Sequence, residues 1–267
     1  MTQHQIRYFI VDAFTDRPFS GNPAAVVPLS AWPSDVWLQN VAMEMNLSET
    51  AFLVPNHNGF DLRWFTPKVE VDLCGHATLA SAFAIFHAGL HNNKPEIEFS
   101  TRSGTLRAAS HENQIQLNFP LTPIEPVIPP ENLVESLAVT PTFIGKSEYD
   151  YVLEVATENE LRSLSPNFTQ LAEIDCRGII VTSKTKATEF DFVSRFFAPA
   201  VGVDEDPVTG SAHCCLAYHW QQRTGHDQFT AFQASDRGGV VHVSIQQDRV
   251  LLSGNAVIVA QGDLLIR

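Results

Sequence analysis

Residues 77–88, ATLASAFAIFHA, are apolar on nearly every side and small on several, a pattern that predicts a helix enclosed by sheet rather than one lying on a surface. Gly89 is placed to stop it, as Gly225 is for a comparable stretch later in the chain. Ahead of each enclosed helix the pattern gives the same order of elements. An amphipathic helix comes first (PSDVWLQNVAMEM, then SPNFTQLAEI), followed by a short apolar strand (TAFLV, then GIIVT), and then by a second strand ending in F-x-P. Ser34 and Ser165 are the expected N-caps of the two amphipathic helices, with Pro166 suited to a first helical position.

The recurrence is literal in places. RWFTPKVEVD matches RFFAPAVGVD with residue 63 falling on residue 195, an offset of 132. CGHATLASA then falls on TGSAHCCLA, and GTLRAASHENQIQL on GVVHVSIQQDRVLL, at an offset of 135, so the second copy is three residues longer. Only two copies of a unit this large argue against a solenoid. They predict an α+β protein of two pseudo-symmetric lobes, each a strand-rich, barrel-like sheet around a central helix. The Pro-rich stretch PLTPIEPVIPPEN suits a boundary. The expected division is residues 1–122, residues 123–255, and a closing strand over residues 256–267 that returns to the first lobe.

Composition narrows the partners. Thirty acidic against 17 basic side chains give a formal charge of −13, and no Lys/Arg cluster stands out, which speaks against nucleic acid and anionic membranes as ligands. The opening MTQHQIRYFIVDAF has no basic stretch leading into an apolar core, and no apolar run approaches the ~20 residues of a membrane span, so the expected location is cytoplasmic. Four cysteines in 267 residues form no disulfide framework and no C-x-x-C pair.

Candidate chemistry gathers where turns feed the two enclosed helices, at LCGHAT and DPVTGSA. The first N–H groups of a helix lack intrahelical partners and carry the positive end of its dipole, so glycine there lets a carboxylate approach the backbone. Gly75, Gly210 and Ser211 are therefore candidate substrate-binding positions, although Gly-Ser or Gly-His before a helix is commonly only a cap. The two mouths differ in their polar groups: His76 stands at the position matching Ser211, and the three extra residues are read as bringing Asp206 and Pro207 to the second mouth. Different groups on equivalent scaffolds suit divided acid–base roles. Glu49, at the entry of the apolar strand TAFLV, has no acidic counterpart in CRGIIV. Asn22 in SGNPAA is a candidate lining residue of the expected cleft, although Asn-Pro is chiefly a turn signal.

Taken together, VDAFTDRPFSGNPAAVV, SETAFL, RWFTP, DLCGHAT, EDPVTGSA and LLSGNAVIV resemble the phenazine biosynthesis PhzF-like isomerases, in order and from about residue 7 to the end. That resemblance implies the two-lobed fold of diaminopimelate epimerase. It also implies an isomerase acting without metal or organic cofactor on a small carboxylate, typified by 2,3-dihydro-3-hydroxyanthranilate, and a homodimer as the assembly. By the same resemblance Glu49 is the proton shuttle, and His76 and Asp206 assist in handling protons and holding polar groups. Gly75, Gly210 and Ser211 seat the carboxylate. Two rivals stay open. A two-thiol racemase or epimerase would place one thiol at Cys74, but the repeat puts Thr209 where the second belongs. A non-catalytic binder of small carboxylates would keep the mouths without the proton chemistry. A metal site built from Cys74, His76, His213, Cys214 and Cys215 is disfavoured, because adjacent Cys214 and Cys215 point about 100° apart on a helix.

Overall fold

A computed structural model describes residues 5–91, 95–111 and 114–265. The chain divides into two compact units: one runs to Asn118 and resumes at Ser253, and the other is Phe119–Leu252.

The first unit contains β1 (Ile6–Ala13), β2 (Asn22–Pro28), α1 (Asp35–Met45), β3 (Glu49–Pro55), β4 (Phe60–Phe65), β5 (Glu70–Val71), α2 (Gly75–Ala88), β6 (Glu96–Thr101), β7 (Gly104–His111) and β8 (Gln114–Pro120). The second contains β9 (Glu125–Pro126), α3 (Glu131–Leu137), β10 (Phe143–Lys146), β11 (Asp150–Glu154), α4 (Glu158–Arg162), α5 (Phe168–Leu171), β12 (Gly178–Lys184), β13 (Phe192–Phe197), α6 (Gly210–Thr224), β14 (Gln228–Gln233) and β15 (Gly239–Gln246). After β16 (Arg249–Gly254), β17 (Ala256–Leu264) lies antiparallel to β1, with Ile6 opposite Leu264.

The repeat is a repeat of sheet topology. Along β1-β2-β3-β4-β6-β7 the pairings run antiparallel, parallel, antiparallel, parallel, antiparallel. The series β10-β11-β12-β13-β14-β15 has the same five in the same order. A parallel step needs a crossover, and helices supply it: α1 between β2 and β3, α2 between β4 and β6, and α6 between β13 and β14. In α2 the residues from His76 to Ala82, with Ala84 and Ile85, are buried, as its all-round apolar sequence requires. Gly89 and Gly225 end the two central helices in the left-handed region, at φ 64° and 73°.

Outer helices cover the other face of each sheet. Helix α1 buries Leu38, Val41 and Ala42 against Val27, Phe52 and Phe65, and Ser34 caps it by accepting from Trp37 N at 3.3 Å. The second unit departs from the expected helix over SPNFTQLAEI. Asn167, rather than Ser165, accepts from Gln170 N, at 3.2 Å, and α5 covers only Phe168–Leu171. Ser165 and Pro166 precede it, and Leu161, Leu164 and Leu171 join the same core from separate short segments.

The three extra residues also sit elsewhere than the sequence match suggests. In the first unit Arg63 grips Glu70 with two bonds of 2.7 and 2.6 Å, and Trp64 pairs with Val71. In the second, Arg195 grips Glu205 at 2.7 and 2.7 Å, and Asp206 N donates to Phe196 O at 3.0 Å. Both equivalences hold at the offset of 135, so the insertion lies between Phe197 and Glu205, in the 3-10 turn Pro199–Val201 and its surroundings. Val203 and Asp204 imitate Val71 and Asp72 in sequence, but Asp206 is the structural counterpart of Val71. Asp206 thus replaces an apolar residue at an existing position; it was not brought there by the insertion.

Arg195 also donates to Leu164 O at 2.9 Å and lies over the Phe197 ring. Arg195→Lys, which can make neither the bidentate grip nor the planar stack, is expected to lower stability by about 1–2 kcal/mol in urea unfolding.

Candidate active site

In the first unit three elements converge. Strands β2 and β3 run parallel with Ala24 opposite Glu49, so Asn22 and Glu49 stand at the same end of neighbouring strands. Helix α2 begins at that end, with Cys74 as its N-cap and His76 in its first turn. Asn22 Nδ2 lies 3.0 Å from His76 Nδ1, Cys74 Sγ lies 3.6 Å from the same nitrogen, and Glu49 Oε2 lies 3.0 Å from Nε2. The imidazole therefore sits between a thiol and a carboxylate. Asn22 suits either state of the ring, its amide nitrogen donating to a bare Nδ1 and, turned over, its oxygen accepting from a protonated one. The Glu49 contact is at ion-pair distance but badly aligned for a hydrogen bond. That leaves the carboxylate directed by charge rather than locked in place.

Electrostatics follow from the packing. Burial opposes a charge on His76, but the Cys74 sulfur and the Glu49 carboxylate outweigh it and hold the imidazole well above its ordinary range. The Cys74 thiol is pushed up to about 11, first by burial and then by the Glu49 charge, while the neighbouring imidazole pulls the other way.

The second unit keeps the scaffold with other groups. Thr209 occupies the N-cap of α6, as Cys74 does for α2, yet its hydroxyl does not cap the helix. It donates to Asp206 Oδ2 at 2.5 Å instead. Gln233, at the end of β14, completes the arrangement: its Oε1 accepts from Thr209 N at 2.9 Å, and its Nε2 donates to Asp206 O at 2.7 Å. Ser235 Oγ donates to Pro207 O at 2.8 Å. The loop before α6 is thus held from outside the helix, and neither central helix receives a side-chain cap. The leading N–H groups of both, at Gly75 and His76 and at Gly210 and Ser211, keep their capacity for an anion.

Of the residues singled out in the sequence, Glu49, Gly75 and His76 come together in the first unit, and Asp206, Gly210 and Ser211 in the second. Asn22 and Gln233 belong to the two arrangements as well. Asn-Pro hid the first behind a turn signal, and the second lies 24 positions along the chain from Thr209. Glu49 has no equivalent: its counterpart, by pairing of Thr50 with Phe65 and of Ile179 with Phe197, is Gly178. A Cβ at Gly178 would fall 2.3 Å from the Phe196 ring.

A buried helix inside a strand-rich unit, built twice with matching topology, defines the class of diaminopimelate epimerase-like folds. A hydroxyproline epimerase from Agrobacterium vitis shares this architecture at a TM-score of 0.66 and 10% identity, over 98% of this chain and 93% of that one. A family profile described as "Phenazine biosynthesis-like protein" matches residues 11–262. An uncharacterised isomerase of Halalkalibacterium halodurans is 51% identical over 97% of this chain and 98% of its own length. The crystal structure of a PhzF-family phenazine biosynthesis protein from Enterococcus faecalis matches at a TM-score of 0.94 and 36% identity, covering 98% of this chain and all of that one. The chain belongs to the phenazine biosynthesis-like (PhzF) family. Among the described residues no helix is long and apolar enough to cross a membrane.

Proposed function

We propose that the protein is an isomerase that shifts a proton between carbons of a small unsaturated cyclic or amino carboxylic acid, with Glu49 as the general acid and base and no cofactor taking part. The observation that carries this reading is the Glu49 carboxylate held 3.0 Å from a buried imidazole beside an uncapped helix mouth. The Glu49 carboxylate, 3.0 Å from the imidazole and without an aligned hydrogen bond, is free to turn toward a substrate carbon and accept its proton. Removing a proton from carbon next to a conjugated system leaves negative charge, which helix N–H groups stabilise at no cost of reorganisation. The carboxylic acid so formed then returns the proton to another carbon. In this reading the N–H groups at Gly75 in the first unit, and those at Gly210 and Ser211 in the second, are each suited to a carboxylate, and Asp206 holds polar groups and assists with protons. Names of relatives support the isomerase class.

The two-thiol alternative loses support at Thr209, an alcohol far too weakly acidic to replace a thiol, whose hydrogen is already given to Asp206. The test is incubation in heavy water with a panel of unsaturated cyclic and amino acids that includes 2,3-dihydro-3-hydroxyanthranilate. Protein-dependent deuterium at carbon, read by NMR, is the expected result. Binding of panel members without any carbon exchange would replace the isomerase with a binder.

A further inference from the structure

The same residues that suit proton transfer also make a compact set of metal donors. Glu49, Cys74 and His76 each offer one ligand atom, and these lie within 4.8 Å of one another. The set is one sulfur, one nitrogen and one carboxylate oxygen, a mixture that favours a borderline-soft ion such as Zn²⁺ over Mg²⁺ or Ca²⁺. It differs from the cysteine and histidine set suggested by the sequence, because Glu49 stands in place of His213, Cys214 and Cys215. Tetrahedral bonds of about 2.3 Å to sulfur and 2.0 Å to oxygen separate such ligands by about 3.5 Å, so the donors close by no more than roughly 1.3 Å. Glu49, the least buried of the three, is the group with room to make that movement, and neither its Oε2 nor His76 Nε2 is committed to an aligned hydrogen bond. Cys74 and His76 are anchored on one helix end, where the sulfur lies 3.6 Å from Nδ1, so this is the nitrogen that would share an ion with it, the Asn22 amide giving way and the Glu49 carboxylate swinging over from Nε2.

We propose that Zn²⁺ binds to Glu49, Cys74 and His76 and thereby inhibits the protein by occupying its acid–base carboxylate. Binding forms the metal–sulfur bond as the thiol proton leaves to solvent and the metal–nitrogen bond as the ligating ring nitrogen of His76 gives up its own proton, with a carboxylate oxygen completing three protein ligands and no change of oxidation state. The inhibitory consequence rests on the proposed role of Glu49; the binding itself does not.

The site is tested by titrating the full chain with Zn²⁺ against a chromophoric chelator, and with Co²⁺ followed by absorption. One Zn²⁺ per chain is expected, weakened at least about tenfold in Cys74→Ser and in Glu49→Gln, and unchanged in Cys176→Ser, whose thiol lies in the other unit. Co²⁺ is expected to show a near-ultraviolet sulfur-to-metal charge-transfer band that Cys74→Ser removes. Equal Zn²⁺ affinity in wild type and in both site variants, or no thiolate band, overturns the site. These readings need no substrate, so absent deuterium exchange alongside normal Zn²⁺ binding would refute the isomerase reading and leave the metal site standing. Exchange that continues at its full rate with the site saturated overturns the inhibitory claim.

Discussion

Glu49→Gln is expected to reduce carbon-bound proton exchange by about 10²–10⁴-fold while the protein stays folded, the range that a positioned acid–base group supplies. That corresponds to roughly 3–5 kcal/mol of barrier. The substitution keeps the size and shape of the side chain and removes only its basicity, and no aligned hydrogen bond to Glu49 Oε2 is broken by it. A second reading on the same variant needs no turnover. Because the Glu49 carboxylate helps hold His76 above its ordinary range, the imidazole titration followed by NMR is expected to move down in Glu49→Gln. A variant that keeps more than about a tenth of the exchange rate would remove Glu49 from the chemistry, whatever the imidazole does.

The second large effect concerns stability. His213 lies fully buried in the first turn of α6 with Nδ1 2.8 Å from Thr209 O, Nε2 without a hydrogen-bond partner, and the Phe192 ring stacked alongside. Burial lowers its pKa to about 4, with the Thr209 carbonyl opposing weakly. The sign follows from linkage. Between the unfolded value near 6.5 and about 4 the unfolded chain binds a proton that the folded chain refuses, so stability falls as pH falls through this window. The loss amounts to roughly 3 kcal/mol. His76 adds no slope there, since a raised imidazole contributes fully below the unfolded value and loses its contribution only as pH rises. Glu154, lowered against burial by His219 and Arg223, takes effect below the ordinary carboxylate range. Urea unfolding at intervals from pH 7 to 4 is expected to show the decline in wild type and a much flatter profile in His213→Asn. Equal slopes in the two proteins would assign the acid sensitivity elsewhere.

How far the chain could be read depends on what each residue contacts. The doubled architecture was legible because the repeat retains Arg63 and Arg195, the F-x-P ends and the apolar central helices, all of which express local periodicity. The place of the insertion was misread because Val203 and Asp204 resemble Val71 and Asp72, and only strand pairing and the Arg195–Glu205 grip show which residues are equivalent. The helix at SPNFTQLAEI was overextended since its apolar residues serve one core from several short segments. Glu49 and His76 each carry a local hint, one at a strand entry and one at a helix mouth. Their approach depends on α2 starting at the end of the sheet where β3 begins, which nothing local encodes. Gln233 escaped for the same reason, since a buried amide that braces a distant loop has no motif, whereas Asn22 was legible as a lining residue but overshadowed by its turn signal.

The glycine at position 178 has a consequence for isotope labels. With the Phe196 ring filling the space where a side chain would start, Gly178 leaves the second unit without a carboxylate at the position matching Glu49. Chemistry resting on one such base must take and return hydrogen from one side of the substrate, and the abstracted nucleus waits on that base until it is delivered or exchanged with water. A substrate carrying deuterium at the reacting carbon would then transfer part of its own label to the new position, an internal return that a pair of opposed bases does not produce.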